Sequence, residues 1–108
     1  MEPNDILRGT LDLLILRTLG VEPMHGWGIC HWIQLYSKDA FQIGQGSIYP
    51  ALQRLEERGW IRSEWRQSEL QRGAKYYALT RAGQKGLGDA TAQWRRYVAN
   101  VELILRAT

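Results

Sequence analysis

The clearest helix signal in the chain is GQGSIYPALQRLEERGW, residues 44–60. Its apolar residues recur at helical spacing and predict one buried stripe, formed by Ile48, Ala51, Leu52 and Leu55. Ser47 is the expected N-cap of this helix, Pro50 is acceptable in a first turn, and Gly59 stands where a left-handed C-cap is expected. The opposite side of the helix is then exposed and carries Tyr49, Gln53, Arg54 and Glu57.

Two more helices are expected upstream. The segment from Leu7 to Leu19 is apolar on several sides, as in a buried helix, and is ended by Gly20 and Pro23. One face of it carries Leu11, Leu14, Ile15 and Thr18. A second helix is predicted from about Gly26 to Lys38, because its apolar residues follow the i, i+3, i+4, i+7 spacing.

Downstream of residue 60 the periodicity changes from 3.6 to 2. In the segment 61–67, IRSEWRQ, the residues Ile61, Ser63 and Trp65 alternate with charged neighbours. The segment 75–80, KYYALT, is rich in aromatic and apolar residues, and a polar stretch containing Gly73 separates the two. Two short strands joined by a polar loop predict a β-hairpin.

A long helix is predicted to close the chain. Thr80 is its expected N-cap, and a helix over residues 81–107 would be about 40 Å long. Its apolar positions repeat with the alternating three- and four-residue spacing of a heptad seam: Leu87, Ala90, Trp94, Tyr97, Val101 and Ile104. A domain of this size cannot cover such a helix by itself, so a partner helix, and hence a dimer, is expected.

Composition bounds the class of protein. The chain has 108 residues, of which 44% are hydrophobic, and a single cysteine, which indicates one globular unit without a disulfide framework. The longest apolar run, Leu13–Leu16, is followed at once by Arg17 and is far too short to cross a membrane. Glu2 and Asp5 stand where a signal peptide would carry positive charge, so a cytoplasmic protein is expected.

The positive charge of the chain is concentrated in its middle third. Residues 48–86 carry eight basic and four acidic side chains, whereas residues 1–47 carry three basic and five acidic ones. Most of the basic groups are arginine, which favours a surface that meets an anion, with nucleic acid as the leading candidate. The alternative from charge alone is a solvated basic face without a partner.

The order helix, helix, helix, strand, loop, strand predicts a mainly α fold with a small β-hairpin: a winged helix-turn-helix domain over residues 1–80 and a C-terminal dimerisation helix over residues 81–108. In that arrangement the third helix enters the major groove of DNA and the hairpin, or wing, lies along the backbone. The candidate contacts are Gln45, Ser47, Gln53 and Arg54 on the helix, with Arg72 and Lys75 on the wing. The alternatives are that Ser47 only caps, Tyr49 only packs, and Arg54 only pairs with Glu57.

Four blocks of the sequence resemble the PadR family of bacterial transcriptional regulators. They are LRGTLDLLILRTL (7–19), PMHGWGI (23–29), GSIYPALQRLEERGWI (46–61) and RGAKYYALTRAG (72–83), in this order and spacing. The resemblance implies the compact branch of the family, with a single C-terminal helix, and assigns Ser47, Tyr49 and Pro50 to the start of the recognition helix. Many members carry more glycine and arginine before the KYY triplet than this chain does.

The resemblance also implies how the protein assembles and what it regulates. It implies a homodimer, built from the last helix and the first, that represses transcription from a two-fold-symmetric operator. Some relatives bind a planar aromatic effector between the subunits, against a tryptophan of the last helix. Trp94 occupies a similar position, and Leu11, Leu14 and Ile15 could line the same cavity. The alternative is a Trp94 buried in the dimer interface and a first helix that only fills the core.

The sequence offers little for catalysis. The one cluster that raises the question is His25, Cys30 and His31, but the two histidines are six residues apart and no carboxylate lies near them in sequence. No enzymatic activity, metal site or cofactor is therefore expected. The alternative function is a dimeric protein-interaction module that kept the winged-helix fold and lost DNA binding, against which the basic charge of the predicted recognition helix and wing argues.

Overall fold

A computed structural model of the chain describes residues 9–67 and 73–108. Its elements follow one another as α1 (Thr10–Val21), β1 (Met24–His25), α2 (Gly26–Tyr36), α3 (Gln45–Glu57), β2 (Ile61–Gln67), β3 (Gly73–Leu79) and α4 (Arg81–Arg106). The mainly helical winged-helix fold predicted from the sequence is confirmed. No helix in the described ranges is long and apolar enough to span a membrane.

One hydrophobic core holds the first three helices against the sheet. It is built from the inward faces of all three helices and the start of β2, and its fully buried members include Ile15, Leu16, Ile29, Ile48, Leu52, Leu55 and Ile61. The predicted stripe of α3 is entirely buried, which confirms the helical spacing inferred for it.

The sheet has a strand that sequence periodicity missed. β3 pairs antiparallel with β2 along its whole length, from Ile61 opposite Leu79 to Gln67 opposite Gly73. On its other side β3 also pairs with the two residues of β1, so the order is β1–β3–β2. A strand of two residues has no period to detect, and only its partner in β3 defines it.

Two predicted helix ends are wrong by two residues. α1 spans Thr10–Val21 and so continues through Gly20, and its expected start at Leu7 lies outside the described residues. α2 ends at Tyr36 rather than Lys38, because Lys38 and Asp39 adopt positive φ angles of 53° and 66° that no α-helix accommodates.

The start of α3 also differs from the prediction. Gly44 is the N-cap, and the amide of Ser47 already donates to the Gly44 carbonyl at 3.1 Å, so Ser47 is the third residue of the helix and not its cap. Pro50 consequently lies in the second turn and not the first, where its missing N–H removes one helical donor to the carbonyl of Gly46.

Both predicted caps at the other helix ends are confirmed. Gly59 has a φ of 79° after α3, and the Thr80 hydroxyl accepts a hydrogen bond from the Gly83 amide at 3.1 Å at the start of α4. The same hydroxyl donates to the Gly59 carbonyl at 2.6 Å. The start of α4 is thereby tied to the end of α3.

Candidate nucleic-acid interface

The exposed side of α3 presents the residues that the sequence predicted for DNA contact. Because the apolar stripe turns inward, six candidates lie on the solvent side: Gln45, Ser47, Tyr49, Pro50, Gln53 and Arg54. The amides of Gln45 and Gly46 precede the first helical hydrogen bond, and the helix dipole makes this end favourable for an anion. The amides of Ser47 and Ile48 are not available to an anion, because both donate to the carbonyl of Gly44.

Two of the candidate side chains have partners within the protein. Gln53 donates through Nε2 to Oε1 of Glu57 at 3.3 Å. Arg54 donates through Nη2 to Oδ1 of Asp12 in α1, at 3.2 Å, and not to Glu57, the partner considered as the alternative to DNA contact. Arg54 lies on the flank of α3 that faces α1, so its guanidinium is shared between a structural ion pair and the solvent.

Tyr49 packs tightly and still reaches the surface. A Cβ placed on Gly26, the first residue of α2, would lie 3.0 Å from the Tyr49 hydroxyl oxygen, so the glycine permits the close approach of α2 and α3. The Tyr49 side chain nevertheless remains 45% exposed. The packing role considered for it is therefore real and leaves its outer edge accessible.

The wing is fastened to α3. Ser63 of β2 donates from Oγ to Oε2 of Glu56 at 2.5 Å. Tyr77 of β3 is buried beside this contact, and its pKa is raised, chiefly by burial and further by the charge of Glu56 and by Tyr49. The hairpin and the recognition helix thus form one unit.

Of the two predicted wing cations, the structure describes one. Arg72 lies outside the described residues. Lys75 stands opposite Trp65 in the sheet register, and its Nζ lies 5.8 Å from the centroid of the Tyr77 ring.

Two exposed tryptophans beside this surface were missed as candidate site residues. Trp27 is 65% exposed and Trp65 is 73% exposed, which is unusual for so large an aromatic side chain. The alternation in β2 grouped Trp65 with Ile61, which is buried, but the outer end of the hairpin extends beyond the core. The signal that could have found them is the abundance of tryptophan, five in 108 residues, more than one small core holds.

The predicted seam of α4 divides into two parts. Leu87 and Ala90 are partly buried, and Leu87 packs within the chain, where its Cδ2 would lie 3.1 Å from a Cβ on Gly20. The remaining seam positions are exposed: Trp94, Tyr97, Val101 and Ile104. Three further apolar residues of the same segment are exposed as well: Val98, Leu103 and Leu105.

The start of α1 and the middle of α4 enclose an open groove of about 420 Å³. Its lining comprises Gly9, Thr10, Leu13, Ala90, Gln93, Trp94 and Tyr97. Trp94 and Tyr97 lie with ring centroids 6.2 Å apart. Of the three residues of α1 predicted for an effector cavity, Ile15 is fully buried in the core and Leu11 and Leu14 pack against it, so none of them lines this groove. Leu13, on another side of the helix, does so.

The histidine cluster has a structural explanation. His25 is the N-cap of α2, where its Nδ1 accepts a hydrogen bond from the Gly28 amide at 2.9 Å. His31 stacks on Trp27 with centroids 5.1 Å apart. Burial raises the pKa of the Cys30 thiol, which opposes the thiolate form that a nucleophile or metal ligand needs.

The helices α1, α2 and α3 pack together, and α3 exposes its first turns. The β2–β3 hairpin follows and is hydrogen-bonded to α3. This arrangement defines a winged helix-turn-helix DNA-binding domain. The model of the transcriptional regulator PadR-like family matches residues 15–89. This chain belongs to that family, and its fold supports a DNA-binding transcriptional regulator.

Known proteins resemble the chain over nearly its whole length. A transcriptional regulator from Clostridium thermocellum is 25% identical with a TM-score of 0.86, and the match covers 95% of this chain and 100% of that one. A PadR family transcriptional regulator from Eggerthella lenta is 31% identical with a TM-score of 0.80, covering 94% and 86%. An uncharacterised protein of Lysinibacillus sphaericus is 29% identical over 105 residues, covering 97% of this chain and 96% of that protein.

Proposed function

We propose that this protein is a homodimeric, sequence-specific repressor that binds a two-fold-symmetric operator. The observation that carries the proposal is the exposed face of α3, where polar side chains and the positive end of the helix dipole face the solvent on the side opposite a fully buried stripe. In this proposal Gln45 and Ser47 reach base edges. Lys75 and Arg72 of the wing contact phosphates.

The two proposed roles, DNA binding and dimerisation, belong to consecutive parts of the chain. Residues 1–80 form the DNA-binding domain and residues 81–108 the dimerisation helix. Support for the second assignment is the apolar surface of α4 beyond Ala90, which the described residues of the same chain leave exposed over about four turns. A second copy of α4 packed along this surface would cover it and set two recognition helices at a fixed separation.

DNA binding is tested by titrating labelled genomic fragments, with random duplex as competitor, over a range of salt concentrations. Lys75→Ala should lower the slope of log K against log salt by about 1 per subunit, because one phosphate contact is lost. Lys85→Ala is the matched control, since this lysine lies on α4 and approaches Asp89 at 4.0 Å. A folded wild type that binds no duplex would favour the protein-interaction module instead.

The dimer is tested at one position of α4. Val101→Glu places a charge in the proposed seam and should give a monomer in sedimentation, whereas Asn100→Glu, one residue away on the same helix, should leave the dimer intact. Operator affinity should fall by about 10²- to 10⁴-fold in the first variant, because two linked half-sites no longer bind together. A monomeric wild type at micromolar concentration would refute the dimer.

A second function, release by a planar aromatic effector, is favoured by the groove between α1 and α4. Its apolar wall of Leu13, Trp94 and Tyr97 suits a flat ring system. Planar cationic dyes should quench the fluorescence of the wild type and weaken its operator binding, and Trp94→Ala should abolish the quenching with little loss of DNA affinity. If Trp94 is instead an interface residue, no dye quenches the wild type and Trp94→Ala destabilises the dimer.

A further inference from the structure

We propose that Trp27 and Trp65 pack against one sugar–phosphate strand of the operator, in an aromatic groove beside the recognition helix. The aromatic groove is an open space of about 1020 Å³ between the start of α2, α3 and the wing, lined among others by Trp27, Tyr49, Trp65, Lys75 and Tyr77. The inference rests on the proposed function and adds a class of contact to it: packing of indole rings on deoxyribose.

Four separate elements bring aromatic side chains to this groove. Trp27 comes from α2, Tyr49 from α3, Trp65 from β2 and Tyr77 from β3. Trp27 is held in place although it is exposed, because its ring stacks on His31 with an interplanar angle of 6°. Trp65 lies across the sheet from Lys75 and is the more exposed of the two. Rings held in place before binding lose little conformational entropy when they bind.

The position of the aromatic groove indicates which part of the DNA would bind in it. If α3 occupies the major groove, a sugar–phosphate strand runs along each side of it. The wing, fastened to α3 through Ser63 and Glu56, stands on one of these sides. The strand on that side must therefore cross the space between α3 and the wing. Tyr49 belongs both to the exposed face of α3 and to the groove, so the two surfaces are continuous.

The chemistry of the groove matches a sugar–phosphate strand. Within the described ranges its lining carries the cation Lys75 and no carboxylate. In the sheet register Lys75 stands opposite Trp65, which places a charge for the phosphate next to a flat apolar ring for the adjoining deoxyribose. The backbone of a DNA strand alternates phosphate and deoxyribose in the same way. If the aromatic groove binds a protein instead, the tryptophan variants should leave the affinity for both duplexes unchanged.

This kind of contact has two measurable consequences. Contacts to sugar carry no sequence information, so loss of Trp27 or Trp65 should weaken operator and random duplex by the same factor. No charge is removed, so the slope of log K against log salt should stay at the wild-type value. Lys75→Ala differs on the second point, because it lowers the slope.

The experiment titrates the full-length protein with a genomic fragment that the wild type binds specifically and with a mixed-sequence duplex. Trp27→Ala and Trp65→Ala should each weaken both affinities by about tenfold, because the apolar area that each indole buries against deoxyribose is lost. Tyr36→Ala is the matched control, because Tyr36 is a 68% exposed aromatic at the other end of α2 and should change neither affinity. Unchanged affinity in both tryptophan variants, or a loss confined to the operator, overturns the inference and leaves the proposed function standing.

A second measurement does not depend on the alanine variants folding. Acrylamide quenches exposed indoles, and bound mixed-sequence duplex should protect the wild type but not the Trp27→Phe/Trp65→Phe double variant. Equal protection of both proteins overturns the inference. A folded wild type that binds no duplex at low salt overturns the proposed function together with it.

Discussion

The junction between the winged domain and α4 depends on a glycine that sequence periodicity does not explain. A Cβ on Gly83 would overlap the backbone carbonyl oxygen of Trp60 and lie 2.9 Å from its carbon, whereas ordinary contact begins at 3.4 Å. Because the obstacle is backbone and not the end of a flexible side chain, Gly83→Ala must push the start of α4 away from Trp60. The Thr80 cap and the Leu87 contact lie on either side of this point and would be strained with it.

Two effects oppose each other in this variant, and their sizes decide its sign. Alanine gains at most about 1 kcal/mol over glycine from helix propensity. Overpacking a close contact costs about 1–3 kcal/mol and occasionally more, and a clash with backbone belongs at the upper end. We expect a net loss of about 2 kcal/mol, which lowers Tm by about 10 °C for a domain of this size.

The matched control is Gly88→Ala, five residues further along the same helix. A Cβ there meets no atom of residues 9–67 or 73–108 within 4 Å, so only the propensity gain of at most about 1 kcal/mol remains and the variant should be more stable than the wild type. Thermal unfolding of all three proteins at one protein concentration measures the difference, since the proposed dimer would make Tm depend on concentration. A Gly83→Ala protein as stable as the Gly88→Ala protein would refute the reasoning.

Three smaller predictions follow from side-chain contacts. A double-mutant cycle on Asp12 and Arg54 should give a coupling below about 1 kcal/mol, because the guanidinium of this ion pair is more than half exposed; a coupling of several kcal/mol in urea unfolding would contradict this. His25→Ala should cost about 1 kcal/mol through loss of the α2 cap, and His25→Asn should retain most of that stability because asparagine is also a good N-cap. The pKa of Tyr77 in the folded protein is raised above its ordinary value of 10.0, so its neutral phenol contributes fully to the free energy of unfolding below pH 10. That contribution is lost as the pH rises further, and Tyr77→Phe should remove this part of the fall in stability at alkaline pH, as measured by unfolding at a series of pH values.

Local chemistry made much of the fold predictable. The buried stripe of α3, the left-handed Gly59 and the Thr80 cap each depend on residues within a few positions of one another, so the sequence pattern contains the whole cause. The end of α2 depends on positive φ angles at two non-glycine residues; aspartate is a type that favours this region, so Asp39 is a weak signal, whereas Lys38 is none. β1 exists only because β3 lies beside it.

The candidate site was predictable in its location and less so in its contacts. The exposed face of α3 follows directly from the buried stripe. Arg54, however, turns to Asp12, forty-two residues earlier in the chain, and a partner so distant leaves no trace in local spacing. Leu13 rather than Ile15 faces α4, because α1 is apolar on more than one side and periodicity alone does not say which side meets which neighbour.

The close packing of α4 on Trp60 has a geometric consequence at the far end of the helix. α4 has 26 residues and is therefore about 39 Å long, and beyond its first turns it leaves the body of the domain. A rotation of 10° about its start displaces its other end by about 7 Å over this length. In the proposed dimer that displacement is a change in the distance between two recognition helices, which must match half-sites about 34 Å apart on DNA. In that proposed dimer, the backbone contact at Gly83 would set, from inside one subunit, the half-site spacing that the two recognition helices can bind.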